Sequence, residues 1–353
     1  MSQAPSKPAI VLVGGFLGAG KTTLLLCAAR MLAQRGLRAA VITNDQGHGL
    51  VDTRTAERAA IRADEVSGGC FCCRFSDFIA AVERVHAFNP EVIFAEAVGS
   101  CIDIVATVVR PLLRDYAGRY CVAPFTVLVE PRRATQLLAP GADPQLAWLF
   151  ANQLNEADLI CLTRADLSEP APELPTGFTL SLSGSTGEGV AGWLAAVLNR
   201  QAPSGLRPLR EVDYERYATA EAALGWMNWQ ARLNLDAALS PPEIVGPFLE
   251  RLDAALSDSG VSIAHLKLLD NASTGHLRAS ICHNRDQPDV EGMLTASPSL
   301  EHELLLNLRA AGTPRQLEAA LHRAVREVPG RLTVLRLESF RPAPPKPEHR
   351  IAD

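Results

Sequence analysis

The octapeptide Gly15-Phe16-Leu17-Gly18-Ala19-Gly20-Lys21-Thr22 fits the spacing G-x-x-x-x-G-K-[ST], and it dictates its own surroundings. Its glycines let backbone N–H groups turn inward around phosphate oxygens, where side chains would block the approach. That geometry requires a strand before it and a helix after it, whose positive N-terminal end adds to the attraction. Ala9–Val13 is a short apolar, β-rich run, and Thr22–Gln34 reads as a helix. Gly15, Gly18, Ala19, Gly20 and Thr23 are candidates for phosphate contact, Lys21 for neutralising charge on the terminal phosphates, and the Thr22 hydroxyl for ligating Mg²⁺.

The alternation continues with strands at 38–43, 91–96, 125–130 and 159–162 and a helix at 76–87. Short apolar strands with helical crossovers imply an α/β fold, a P-loop NTPase parallel sheet with helices on both faces. The length of 353 residues suggests two domains. Residues 9–200 are expected to form the first, and 201–212, polar and Pro/Gly-bearing, a linker. Over 213–340 strands with two interposed helices predict a smaller α+β domain with an antiparallel sheet. Residues 1–8 and 341–353 are expected to be disordered.

Charge removes other classes. The 34 basic and 39 acidic residues give −5, and no Lys/Arg run supplies the footprint of a nucleic-acid binder. The longest nearly apolar stretch, residues 9–20, is short of the ~20 residues that span a bilayer, so no membrane partner is expected. No apolar core marks a signal peptide, which predicts a cytoplasmic chain.

A phosphate loop needs a second acidic residue at a neighbouring strand end to hold the metal's water shell. Glu96 closes the apolar run 91–96 and joins Lys21 and Thr22 as the catalytic set, with Gly99 where backbone could meet a γ-phosphate. Thr163-Arg164-Ala165-Asp166 follows another strand, where Asp166 would accept both N1–H and N2–H of guanine. Arg164 can stack over a base, and Ser183-Gly184-Ser185-Thr186-Gly187 resembles a last base-contacting loop. GTP is favoured over ATP, although Thr163 cannot bridge as an asparagine amide would.

Of eight cysteines, three fall in Cys70-Phe71-Cys72-Cys73. Thiolates favour soft or borderline ions such as Zn²⁺, Co²⁺ or Cu⁺. Successive side chains point apart, so two of these sulfurs with Asp45 or His48 from the 44–48 loop make a better tetrahedral site than three. A redox-active thiol cluster and packing cysteines are the other readings. His265, His276 and His283 suggest either a second site or hydrogen bonds within a sheet.

Taken together, GGFLGAGKTT, NDQG, GGCFCC, EAVG and TRAD resemble the CobW-type P-loop GTPases, relatives of nickel-insertion GTPases. Asp77, Gln153 and Asp158 also sit in register with that family's pattern. The resemblance is strong over about residues 8–200 and weaker over 210–340. It implies a GTP-driven metallochaperone or metal insertase, with Cys70, Cys72, Cys73 and Asp45 near a transition metal and His48 as an added imidazole. Asp45 stands where the family usually has Glu, and Ser100-Cys101 where it has an apolar pair. The expected cofactors are GTP, Mg²⁺ and Zn²⁺ or Co²⁺; the expected partner is a client metalloprotein, and a homodimer is left open. With no arginine finger or water-positioning glutamine evident, hydrolysis should be slow without the client. The alternative is a GTP-dependent switch that docks to a metal- or cobalamin-dependent enzyme without carrying the metal. A third reading is an ATP-dependent, kinase-like enzyme.

Overall fold

A computed structural model describes residues 7–46, 51, 61–167, 170, 172–177, 179–199 and 203–353. The chain divides into two compact units, Met1–Gln46, Asp52–Ala220 and Pro344–Asp353 against Gly47–Val51 and Glu221–Ala343.

In the first unit, β1 (Ala9–Gly15), α1 (Lys21–Gln34), β2 (Ala39–Asn44), β3 (Arg62–Val66), α2 (Phe75–His86) and β4 (Val92–Glu96) come first. A single π turn, Val105–Val109, runs into α3 (Arg110–Asp115). Then follow β5 (Cys121–Val122), β6 (Thr126–Val129), α4 (Pro131–Leu138), α5 (Pro144–Glu156), β7 (Leu159–Leu162), β8 (Leu180–Ser181), α6 (Val190–Leu198) and α7 (Tyr214–Ala222). The sheet order is β3-β2-β4-β1-β6-β7-β8, every pair parallel, with β5 also beside β1. β1 is buried throughout, as a parallel strand covered on both faces must be. α1 packs Leu24, Leu25, Ala28 and Leu32 with Val11, Val13, Val41 and Trp193. The crossovers lead from β1 to β2 on one side of it and from β4 to β5 and β6 on the other, so the carboxyl ends of β1 and β4 open where such sheets bind ligands.

The second unit holds β9 (Gly225–Leu239), α8 (Pro241–Asp258), β10 (Ser262–Ala272), β11 (Gly275–Ile281), β12 (Asp289–Gly292), β13 (Ser299–Ala311), α9 (Pro314–Val325) and β14 (Arg331–Phe340). Its sheet, ordered β12-β11-β10-β13-β9-β14, is antiparallel throughout. Met227, Trp229, Ala231 and Leu233 alternate into one core with Phe248, Leu252, Leu317 and Leu321 of α8 and α9. Trp229 stacks on Phe248 with ring centroids 5.6 Å apart, so it is a packing residue.

Two boundary expectations change. Residues 203–212 belong to the first unit, because the Asp158 carboxylate accepts from the Gly205 and Leu206 N–H groups at 2.8 and 3.0 Å. Residues 344–353, expected to be disordered, lie on the first unit through backbone and side-chain bonds to Cys72, Ser76, Asp103 and Ala106. Of 1–8, only Lys7 and Pro8 fall among the described residues, and the Pro8 carbonyl accepts from Cys121 N–H.

Candidate functional site

The turn after β1 follows from its glycines. Gly15, Gly18 and Gly20 have φ of 125°, 79° and 84°, and a Cβ on Gly15 would stand 2.3 Å from the Leu128 carbonyl oxygen. Lys21 Nζ donates to the carbonyls of Gly15 and Phe16 at 2.8 and 3.3 Å, so the loop holds the ammonium over its own concave side. Thr22 Oγ1 donates to Glu96 Oε2 at 2.8 Å; both residues are buried. This pairing of hard oxygens at the ends of α1 and β4 suits Mg²⁺. Gly99 touches the same loop, since a Cβ there would meet Leu17 N at 2.9 Å.

The base-side candidates share one sheet edge. β7 and β8 pair in register at Leu162 and Ser181, which sets Thr163–Asp166 beside the loop from Ser183. Thr163 is buried and its hydroxyl donates to the Val129 carbonyl at 3.3 Å. Arg164 takes φ 58°, and its Nε lies 4.0 Å from Glu130 Oε1. Asp166 is exposed on a short 3₁₀ turn, Ala165–Leu167. Ser183 Oγ accepts from the Thr186 N–H at 3.2 Å and pairs with Ser185 Oγ at 2.9 Å.

The cysteines sit between β3 and α2. Cys73 and Arg74 N–H groups both donate to the Cys70 carbonyl at 3.0 Å, and this tight turn brings Cys70, Cys72 and Cys73 sulfurs within 4.8 Å of one another. The expectation that successive side chains diverge therefore fails, because the backbone here is turned rather than extended. Sulfur separations are 2.7 Å for Cys70–Cys72 and 3.7 Å for Cys72–Cys73. A tetrahedral ion with Zn–S near 2.3 Å needs about 3.8 Å between sulfurs, so Cys72 and Cys73 fit as a pair and Cys70 would have to swing away. Hydrogen bonding by the thiols of Cys101, Cys70 and Cys73, then burial, pushes Cys72 well above the usual thiol range. Cys73 is pushed up to about 11, chiefly by its hydrogen bond with Cys70. Among the described residues Asp45 does not join this sulfur group, and its N–H donates to the Val66 carbonyl at 3.2 Å. His48 lies outside the described residues. His265, His276 and His283 form no three-ligand group among the described residues.

One organising residue escaped the reading of the sequence. Asn44 Nδ2 donates to the carbonyls of Val66 and Gly69, and its Oδ1 accepts from Phe71 N–H, at 2.8–2.9 Å. One amide thus shapes the entry to the cysteine turn; the signal was a carboxamide at the end of an apolar strand. Cys101, in the loop after β4, is buried and hydrogen-bonded to Cys72, joining the loop that begins at Glu96 to the sulfurs. Gln153, flagged only by register, donates to the carbonyls of Gly99 and Cys101 at 2.9 and 3.0 Å.

Residues 9–176 match the family described as CobW/HypB/UreG, nucleotide-binding domain. The chain is 30% identical over 198 residues to the zinc chaperone CobW of Pseudomonas aeruginosa, covering 46% of this chain and 50% of that protein. It is 41% identical over 179 residues to the zinc chaperone YjiA of Escherichia coli, covering 47% and 52%. The chain thus spans about half the length of the curated relatives it matches. A Zn(II)-bound YjiA GTPase structure from E. coli is 16% identical, covering 90% of this chain and 98% of that one, with a TM-score of 0.34.

Proposed function

We propose, from the match of residues 9–176 to the CobW/HypB/UreG nucleotide-binding domain, that the protein is a GTP-hydrolysing metallochaperone that delivers a transition metal, zinc or cobalt, to a client metalloprotein. The observation that supports it is the contact between Cys72 and Cys101, because Cys101 lies five residues beyond Glu96, which holds Thr22. One short segment therefore touches both the phosphate side and the sulfur side. The curated relatives are zinc chaperones, and the Cys72–Cys73 spacing suits Zn²⁺ or Co²⁺.

In this reading the backbone N–H groups from Gly15 to Thr23 bind the phosphates and Lys21 neutralises their charge. Thr22 and Glu96 would hold Mg²⁺, which neutralises charge on the β- and γ-oxygens when bound. Asp166 accepts from the guanine edge, with Arg164 over its plane and Thr163 and Ser183 beside it. Hydrolysis adds water to the γ-phosphorus and breaks its bond to the β-phosphate oxygen. Loss of the γ-phosphate contact at Gly99 shifts the loop that carries Cys101, and the sulfur site weakens.

The test is an anaerobic titration of the reduced protein with Zn²⁺ and Co²⁺, in GDP and in a non-hydrolysable GTP analogue. Expected are a thiolate-to-cobalt charge-transfer band, its loss in the C72S/C73S double variant, and different affinities in the two nucleotides. Tight nucleotide binding without a thiolate band would overturn the proposal.

A further inference from the structure

Pro344, Pro345, Lys346 and Pro347 offer one backbone N–H among them, that of Lys346, since proline has none. That N–H donates to Cys73 Sγ at 3.1 Å. Two residues on, the Glu348 N–H donates to the Cys72 carbonyl at 3.0 Å. The Glu348 carboxylate accepts from the Ser76 N–H and hydroxyl at 3.0 and 2.6 Å, at the positive end of α2. The His349 ring meets Phe75 edge-on at 5.2 Å, and Ile351 N–H reaches the Ala106 carbonyl at 2.8 Å. The N–H groups of Lys346, Glu348 and Ile351 are thus spent on the cysteine turn or on the π turn after β4.

The far end is fixed by charge. Arg350 Nε donates to Asp103 Oδ2 at 2.8 Å, and its Nη2 to the Leu209 carbonyl at 2.7 Å. Asp103 is 1% exposed, holds φ at 64°, and also accepts from the Tyr214 hydroxyl at 2.6 Å. A buried carboxylate on a strained backbone persists only with partners of this kind. Asp103 lies two residues beyond Cys101, so the loop that meets the sulfurs from inside also anchors the segment that meets them from outside. The prolines limit the conformations to be lost on docking, which keeps the segment in place at low entropic cost.

We propose that residues 344–353 form the outer wall of the cysteine site, with the Lys346 N–H as a positioning donor to the Cys73 sulfur and Arg350 as the anchor that ties this donor to the loop after β4. An N–H donor to a ligating sulfur stabilises its charged form and fixes its direction, and such outer partners change metal affinity by roughly 10- to 100-fold. When the loop shifts, Arg350 follows Asp103, the donor leaves Cys73, and that sulfur opens to a client. The inference rests on the reading of the cysteines as a metal site.

Lys346→Pro removes the single N–H and keeps an extended backbone, whereas Lys346→Ala keeps the N–H. Both are compared with wild type in the full chain with GDP, by Co²⁺ titration and, metal-free, by the rate of Cys73 alkylation with iodoacetamide read by peptide mass spectrometry. Expected for Lys346→Pro are about tenfold weaker Co²⁺ binding and slower alkylation, because the attacking thiolate loses the donor that favours it, with Lys346→Ala within twofold of wild type. Arg350→Ala should remove the difference in Co²⁺ affinity between GDP and the GTP analogue. Equal behaviour of Lys346→Pro and Lys346→Ala in both readouts would overturn the proposal. A wild type without a Co²⁺–thiolate band would instead sink the metallochaperone reading, while the alkylation contrast would still decide whether the wall exists.

Discussion

Gly15 and Gly20 both hold positive φ, yet they should not respond alike to alanine. At Gly20 a Cβ meets nothing within 4 Å, so Gly20→Ala costs the backbone strain alone, about 1 kcal/mol. At Gly15 the added carbon would stand 2.3 Å from the Leu128 carbonyl oxygen and 2.9 Å from its nitrogen, which forces β1 and β6 apart. Gly15→Ala should therefore cost about 1–3 kcal/mol more than Gly20→Ala in urea unfolding without nucleotide; equal costs would mean that the Leu128 contact does not demand glycine. Glu156 makes a second case. Burial raises its pKa well above the usual range, against the hydrogen bond from Val105 N–H at 3.0 Å. A raised pKa means the folded state holds the proton more tightly, so the stability it contributes is full below about pH 4.5 and is lost as pH rises through the folded value. Glu156→Gln keeps the acceptor without the titration, so its urea midpoint should vary less with pH than wild type between pH 5 and 8. An unchanged slope would refute this account.

Among the elements, α5 does more than cover the sheet, because Gln153 on its buried face holds the carbonyls of Gly99 and Cys101. Gln153→Ala leaves both carbonyls without that donor, at about 1–3 kcal/mol. It should also narrow the difference in affinity between GDP and a GTP analogue, measured by calorimetry; an unchanged difference would show that α5 does not set the loop. α5 was not read from the sequence; its start signal is Asp143 before Pro144, where the Asp143 carboxylate accepts from Gln145 and Leu146 N–H. The strands that flank the phosphate loop were plain in the sequence because full burial makes them apolar throughout. β3 was not, because Arg62-Ala63-Asp64-Glu65-Val66 is a half-buried edge strand that carries three charges and no apolar run. The docking of 344–353 was hidden for another reason. Proline-rich, polar composition signals a chain that cannot build a core, and it carries no sign of a surface already shaped to receive it. The convergence of three sulfurs was likewise invisible, since spacing alone assumed an extended backbone.

At the scale of the whole molecule, two units with opposite sheet types answer to different variables. A nucleotide that binds the first unit at a hundred times its Kd adds about 2.7 kcal/mol to that unit's stability. The second unit carries its own titrating device. His302 on β13 has its Nδ1 2.8 Å from Asp270 Oδ2 on β10, and its Nε2 3.2 Å from the carbonyls of Leu239 and Ser299. Both nitrogens face acceptors, so the site is built for the doubly protonated ring. Burial pulls the histidine pKa down, but the Asp270 carboxylate and the two carbonyls more than offset it, and the net direction is up from 6.5. A raised histidine pKa gives stability that is complete below about pH 6.5 and is lost as pH rises through the folded value. Hydrogen exchange, corrected for its intrinsic pH dependence, should then show protection over β10 and β13 falling as pH rises above 6.5, a fall that His302→Leu abolishes while leaving the pH profile of β1 and β4 as in wild type. Added GDP should do the reverse, protecting β1, α1 and β4 alone. His302→Leu removes the titration but leaves Asp270 buried without its partner, so it should cost about 3–5 kcal/mol near pH 6. Protection over β10 and β13 that did not change with pH in wild type would mean that the His302–Asp270 pair holds one protonation state throughout, and the pH dependence would have to lie elsewhere.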